Sequence, residues 1–303
     1  MKKVFTTLFL AVSLTTIAQQ DPQFSQNMWN RLQPNPGFAG ANGGICATLL
    51  GRMQWVGFDG APKTYLLNVD GYIAAIRGGV GLSVMSDNIG VQKGIAAKLS
   101  YAYKLNLGTG SLGIGADVGI LMSSLDGSKL VPAQGNDNSI PTGNSSSIVP
   151  DFGLGLYYQI PEKLYFGVST THLVPGTLKY SNVNYKVARH YYLMAGYTYN
   201  MTQKFDLIPS IFIKTDGKAT QFDINLNVMY NKLIWLGASY RLQDAAVAMA
   251  GVQWKNFRLG YSYDFNTSKL NAYNSGTHEL MLGYCFKLEK PAITSKYKNT
   301  RYL

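Results

Sequence analysis

The sequence predicts an all-β transmembrane barrel of about fourteen antiparallel strands. Three observations predict it. Apolar residues recur with a period of two, the composition is poor in charge, and short connectors alternate with long ones along the chain. A period of two marks strands whose two faces meet different surroundings. Leu99, Tyr101, Tyr103 and Leu105 alternate with Lys98, Ser100, Ala102 and Lys104. Ile224, Leu226, Val228 and Tyr230 alternate with Asp223, Asn225, Asn227 and Met229. Leu280, Leu282, Tyr284 and Phe286 alternate with Glu279, Met281, Gly283 and Cys285. A tilted strand crosses a bilayer in about 9–11 residues, and its edges survive in lipid only inside a closed barrel.

Composition agrees. Charged residues make up 14% of the 303-residue chain, against roughly 25% in ordinary soluble proteins. Gly (32) and Tyr (21) are abundant, and the mean hydropathy is −0.03. No apolar run is long enough for a membrane helix, whereas a barrel spreads its apolar residues over alternate positions. The net charge of +11 suggests an anionic partner. No nucleic-acid motif is present, which leaves anionic lipid head groups or acidic proteins. Two cysteines, Cys46 and Cys285, rule out a cysteine-rich scaffold but permit one disulfide in an oxidising compartment.

Taken in order, residues 1–18 read as a secretory signal peptide. Lys2 and Lys3 precede the apolar stretch Val4 to Leu14, and Thr16-Ile17-Ala18 offers a small-residue cleavage site. Residues 19–44, rich in Pro, Gln and Asn, lack strand alternation. They form either a periplasmic or luminal segment that plugs or lines the barrel, or a disordered leader. Phe24, Met28, Trp29 and Phe38 argue for packing.

Residues 45–286 then supply fourteen alternating runs: 45–55, 63–73, 78–86, 94–105, 111–123, 150–159, 163–171, 189–200, 204–214, 220–230, 233–242, 246–254, 257–265 and 277–286. With both termini periplasmic, the inner connectors IAAIRG, NLGTG, IPEK, MTQK, NK and KN are all short. The outer ones include VGFDGAP, DNIGVQK, Ser124 to Val149, His172 to Ala188 and Asn266 to Gly276. Short periplasmic turns with long outer loops are the outer-membrane pattern. The Ser124 to Val149 stretch, rich in Gly, Asn, Ser and Pro, is expected to be an exposed, mobile loop. Residues 287–303 read as a basic periplasmic tail or a frayed end.

Catalytic chemistry is not legible. Three histidines, His172, His190 and His278, are too few and too scattered to predict a metal or triad site. Gly113, Gly115 and Gly119 evoke a nucleotide loop, but Val118 stands where the last Gly of such a motif belongs. Alternation assigns these glycines to an inner strand face. Lys98, Lys104, Arg258 and Asp264 also face inward, either lining a channel or sitting as satisfied charges in a wet lumen. No cofactor or metal is expected.

The last strand is expected to close against the first. Cys46 and Cys285 then lie at one height on the inner face, as a disulfide or as two small packed residues. The aromatic ending of that strand resembles the terminal signal of outer-membrane barrels, here followed by further chain.

Two stretches resemble the PorP/SprF family of Bacteroidota outer-membrane proteins. QQDPQFSQNMWNRLQPNPGFAG matches the family's opening through Asp21 to Gln26 and through Asn35, Pro36, Ala39 and Gly40. RMQWVGFDGAPKTY matches its second block through Arg52, Gln54, Trp55, Gly57, Gly60, Ala61, Pro62 and Thr64. The resemblance implies a non-enzymatic outer-membrane barrel of type IX secretion. Its implied partners are outer-membrane lipids, periplasmic lipoproteins of the machine, and a large secreted adhesin with a type IX sorting domain, in some organisms with a link to gliding motility. Phe24, Trp29, Arg52, Gln54, Trp55 and Pro62, with Lys296 and Arg301 of the tail, are the candidate partner contacts. Trp55 is either a contact or a membrane-interface anchor. The rival reading is an outer-membrane channel for small or hydrophobic solutes, with the N-terminal segment as its plug.

Overall fold

The computed structural model describes residues 21–130, 141, 143–180, 183–268 and 272–286. The stretches expected to be a signal peptide and a basic tail, the latter with Lys296 and Arg301, lie outside the described residues.

Among the described residues seventeen strands are present: β1 (Ile45–Met53), β2 (Lys63–Ile73), β3 (Gly78–Ile89), β4 (Gln92–Leu107), β5 (Gly110–Asp126), β6 (Asn144–Ile160), β7 (Leu164–Thr171), β8 (Thr177–Tyr180), β9 (Val183–Lys186), β10 (His190–Tyr197), β11 (Tyr199–Asn200), β12 (Phe205–Thr215), β13 (Thr220–Tyr230), β14 (Ile234–Arg241), β15 (Ala245–Trp254), β16 (Phe257–Asn266) and β17 (Thr277–Phe286). Fourteen of them form the wall. β11 continues β10 along β12, and β8–β9 is a separate hairpin. Each wall strand pairs antiparallel with its sequence neighbour, and β1 pairs with β17 to close the ring. Closure leaves no strand edge unpaired, which lipid demands.

Exposure is inverted relative to a soluble protein. Leu99 and Leu236 are each 62% exposed and Phe265 56%, while Asp223 and Glu279 are 0% exposed. A soluble sandwich would bury the first group and expose the second. The apolar outer surface faces lipid, and the polar face points into the lumen.

All fourteen expected strands are present, but their lengths differ at one end. DNIGVQK is not a loop: β3 and β4 run through it and leave only Gly90 and Val91 as the turn. Likewise β5 extends to Asp126 and β6 begins at Asn144, so both ends of the expected Ser124 to Val149 loop are paired strand. Ladder hydrogen bonds continue there although the side chains no longer alternate strongly, so periodicity misses these ends. The His172 to Ala188 connector holds the unpredicted β8–β9 hairpin. Its Leu178 and Tyr180 pack on Val149, with Leu121 and Leu125 against the same cluster.

The N-terminal segment fills the lumen. Phe24 and Met28 pack against Leu50, Leu66, Met249 and Met281 of the wall. Leu32, Phe38 and Ala39 pack against Tyr157, Tyr165, Met194 and Phe212. Full burial of each such side chain stabilises by about 1.5–3 kcal/mol. The Pro36–Phe38 turn is capped by Asn35, whose side chain accepts from the Gly37 N–H at 2.9 Å. This turn explains Gly113 and Gly115: a Cβ on Gly115 would overlap Gly37, and one on Gly37 would lie 2.9 Å from the Gly113 carbonyl. The glycines permit backbone to approach backbone.

The segment runs the height of the barrel. Ala41 and Gly37 meet Gln159 and Lys104 at the end where the strand turns are short. Asp21 meets His172 and Lys214 at the opposite end, where the long connectors gather.

At the seam, β1 and β17 pair from Ile45↔Phe286 to Met53↔His278. Cys46 stands opposite Cys285 with a Cα separation of 4.0 Å, and the two sulfurs are bonded. The bond spans 239 residues of sequence. Replacing both cysteines by serine is expected to lower barrel stability by about 2–4 kcal/mol, read from the denaturant midpoint of the purified barrel. Non-reducing mass spectrometry of a digest should recover the two cysteine peptides as one species.

Candidate functional site: the luminal plug and its polar clamps

The plug is held by two polar clamps at the long-connector end. The first surrounds Ser25. The Arg52 guanidinium, from β1, reaches Asp264 Oδ2 on β16 at 2.8 Å and Glu279 Oε2 on β17 at 3.1 Å. Arg241, from β14, reaches the same Asp264 oxygen at 3.1 Å and Asp223 Oδ1 on β13 at 3.2 Å. The Ser25 hydroxyl sits between them. It donates to Asp264 at 2.7 Å and accepts from Arg52 Nη1 at 2.9 Å and Arg241 Nη2 at 3.1 Å. The backbone N–H groups of Ser25 and Gln26 donate to the two Glu279 carboxylate oxygens at 2.8 and 2.9 Å. Gln23 and Asn27 both donate to Asp223. A plug with no strand partner thus finds wall carboxylates for its backbone donors, as any buried backbone must.

The second clamp surrounds Asp21. Its carboxylate meets His172 Nε2 at 2.9 Å and accepts from the Tyr192 hydroxyl at 2.6 Å. Its backbone N–H donates to His190 Nε2 at 3.2 Å, and Lys214 donates to its carbonyl at 2.7 Å. His172 Nδ1 lies 3.0 Å from Asp151 Oδ1, and Lys98 pairs with the other Asp151 oxygen at 2.9 Å. Burial disfavours a charged His172, yet Asp21 and Asp151 outweigh it and push its pKa up to about 9. A cavity of about 130 Å³ adjoins this clamp, lined among others by His172, His190, Asp87, Met85, Leu178 and Tyr185.

The candidate residues fall into three places. Phe24 is buried in the lumen, and Trp29 meets Trp235 at a 53° tilt with ring centroids 5.8 Å apart while the Arg258 guanidinium lies 4.1 Å from its ring. Arg52 is 2% exposed, and its partners are the chain's own carboxylates rather than an outside surface. Gln54, Trp55 and Pro62 belong to the connector from β1 to β2, with Pro62 buried and Gln54 and Trp55 half-buried. Trp55 adopts a left-handed conformation (φ 50°), costly for a bulky side chain. Its backbone N–H donates to the Thr277 hydroxyl at 3.1 Å, and Val56 donates to the Gly276 carbonyl and accepts from the Ser275 N–H in the connector before β17. The inner-face charges do not line an open channel. Lys104 donates to the Gly37 carbonyl, Lys98 pairs with Asp151, and Arg258 and Asp264 meet the plug.

Sequence reasoning missed both clamps as units. Their members are far apart in the chain: Ser25 and Glu279 are separated by 254 residues, Asp21 and His172 by 151. His172 and His190, judged too scattered, stand with ring centres 5.7 Å apart because the hairpin between them folds back. The available signal was their position at the facing ends of adjacent wall strands.

Removing one partner from the Ser25 clamp leaves an uncompensated buried charge, which costs about 3–5 kcal/mol. Arg52→Ala is expected to lose that much in denaturant unfolding of the purified barrel. Arg52→Lys should recover only part of it, since one ammonium cannot span Asp264 and Glu279 as the guanidinium fork does.

Among solved structures, the chain is similar to the Pseudomonas putida toluene transporter TodX, at 13% identity over 85% of this chain and 93% of that one, with a TM-score of 0.49. It is also similar to the Ralstonia pickettii toluene transporter TbuX, at 12% identity over 85% and 93% of the two chains, with a TM-score of 0.49. No curated protein matches the sequence. The sequence profile described as type IX secretion system membrane protein PorP/SprF matches residues 16–284, from before the plug into the closing strand. With the plug and all of the wall but the last two residues of β17 inside that match, the chain belongs to the PorP/SprF family of type IX secretion membrane proteins.

Proposed function

We propose that this barrel is a plugged, non-conducting subunit of type IX secretion. It assists the export or surface attachment of a large adhesin-like protein bearing a type IX sorting domain, and through that cargo it serves gliding motility. The observation that carries this reading is the filled lumen: residues 21–41 occupy it and are bonded to the wall at both ends. A solute path would cross those bonds, so the working surfaces are the ends of the barrel. In this reading the short turns face the periplasm and the long connectors face outward, following the outer-membrane pattern. The basic tail, with Lys296 and Arg301, docks on periplasmic lipoprotein components. The connector from Gln54 to Pro62, braced against the one before β17, presents Trp55 to the cargo.

Deleting the gene is expected to strip the adhesin from the cell surface while cell-associated precursor accumulates, as read by surface proteolysis and immunoblotting. The purified native barrel should pass no solute in liposome-swelling assays. Unchanged surface adhesin together with solute flux through the native barrel would replace this reading with the channel. Gly115→Leu, whose side chain overlaps the turn at Gly37, should convert the silent barrel into one with measurable flux.

A further inference from the structure

We propose that Asp21, His172 and His190 form a binding site for one divalent transition-metal ion of the zinc class, which clasps the start of the plug to the wall. The ligand atoms these three residues offer all lie within 4.8 Å of one another. They come from three separate parts of the chain: the plug, the connector after β7, and the first residue of β10.

Metal-bound histidine usually donates its other ring N–H to a carboxylate or a carbonyl, which fixes the tautomer. Both rings are arranged in this way. His172 Nδ1 faces Asp151 Oδ1 at 3.0 Å, so its Nε2 points at Asp21. His190 Nδ1 faces the Ala188 carbonyl at 3.1 Å, and its Nε2 accepts the Asp21 N–H. The Asp21 carboxylate is held at Oδ2 by the Tyr192 hydroxyl, leaving Oδ1 toward His172. Each of the three side chains is therefore held by a hydrogen bond on the side away from the shared centre.

Two imidazoles and one carboxylate suit zinc and its neighbours rather than calcium or magnesium, which prefer all-oxygen sites. The adjoining 130 Å³ cavity leaves room for a water on a fourth position. On binding, the ion takes the place of the proton on His172 Nε2 and of the Asp21 N–H at His190.

The test uses the full barrel in detergent, stripped with EDTA and titrated with Zn2+ by calorimetry, with bound metal counted by mass spectrometry. One ion per chain is expected, accompanied by a higher thermal midpoint. His172→Gln and His190→Gln should each weaken binding at least tenfold, and Asp151→Asn by about 10–100-fold through the lost orientation. His278→Gln, at the seam, should bind as the native chain does. Heat-modifiable gel mobility checks that every variant is folded. A folded native barrel that takes up no Zn2+, or the double variant His172→Gln/His190→Gln binding with native affinity, would overturn the proposal.

Discussion

Everything in this molecule follows from the intolerance of lipid for an unpaired backbone amide. That constraint closes the wall at β1 and β17. It turns Leu99, Leu236 and Phe265 outward and forces polar side chains inward. A ring of fourteen strands then encloses more space than its own side chains fill. The chain fills it with its own N-terminal segment, and that segment, having no strand partner, must find its hydrogen bonds on the wall. Asp223, Asp264 and Glu279 on one side and Asp151 with the two histidines on the other answer that need.

The two clamps differ in physical character. Around Ser25 the guanidinium groups of Arg52 and Arg241 face the carboxylates of Asp223, Asp264 and Glu279, and the geometry is fixed by forked hydrogen bonds. Such a cluster contributes little net stability compared with an apolar core, but it rejects misplacement, since a shifted plug would leave several charges unpaired. Around Asp21 the charge on the imidazoles is adjustable, and the same atoms can hold a proton or an ion. One clamp sets the register of the plug, and the other is responsive to conditions.

The wall was largely legible in the sequence because a membrane strand carries its period in every residue. The run from Thr277 to Phe286 could be placed and even paired, since Cys46 and Cys285 stand at matching positions. Legibility failed where the lipid constraint ends. Beyond the apolar band, Asp87, Asn88 and the serines 145–147 continue as strand through ladder bonds alone, without an alternating outer face. The β8–β9 hairpin is held by a small apolar cluster that no short window reveals. The plug was visible as a packed segment through Phe24 and Phe38. Its register was not, because its anchors are scattered over the wall, from Arg52, 27 positions beyond Ser25, to Glu279, 254 positions beyond it.

The bond at the seam changes what kind of object the chain is. Joining Cys46 to Cys285 makes the stretch between them a covalent macrocycle, and residues 21–45 emerge from that ring beside the bond and pass through its hole. The molecule is a lasso. Once the bond has formed, the wall cannot part at β1 and β17 to admit or release the plug. The segment can travel only lengthwise, drawn past Gly113 and Gly115 like a thread through an eyelet. Whatever pulls on either end of it therefore acts along the barrel axis.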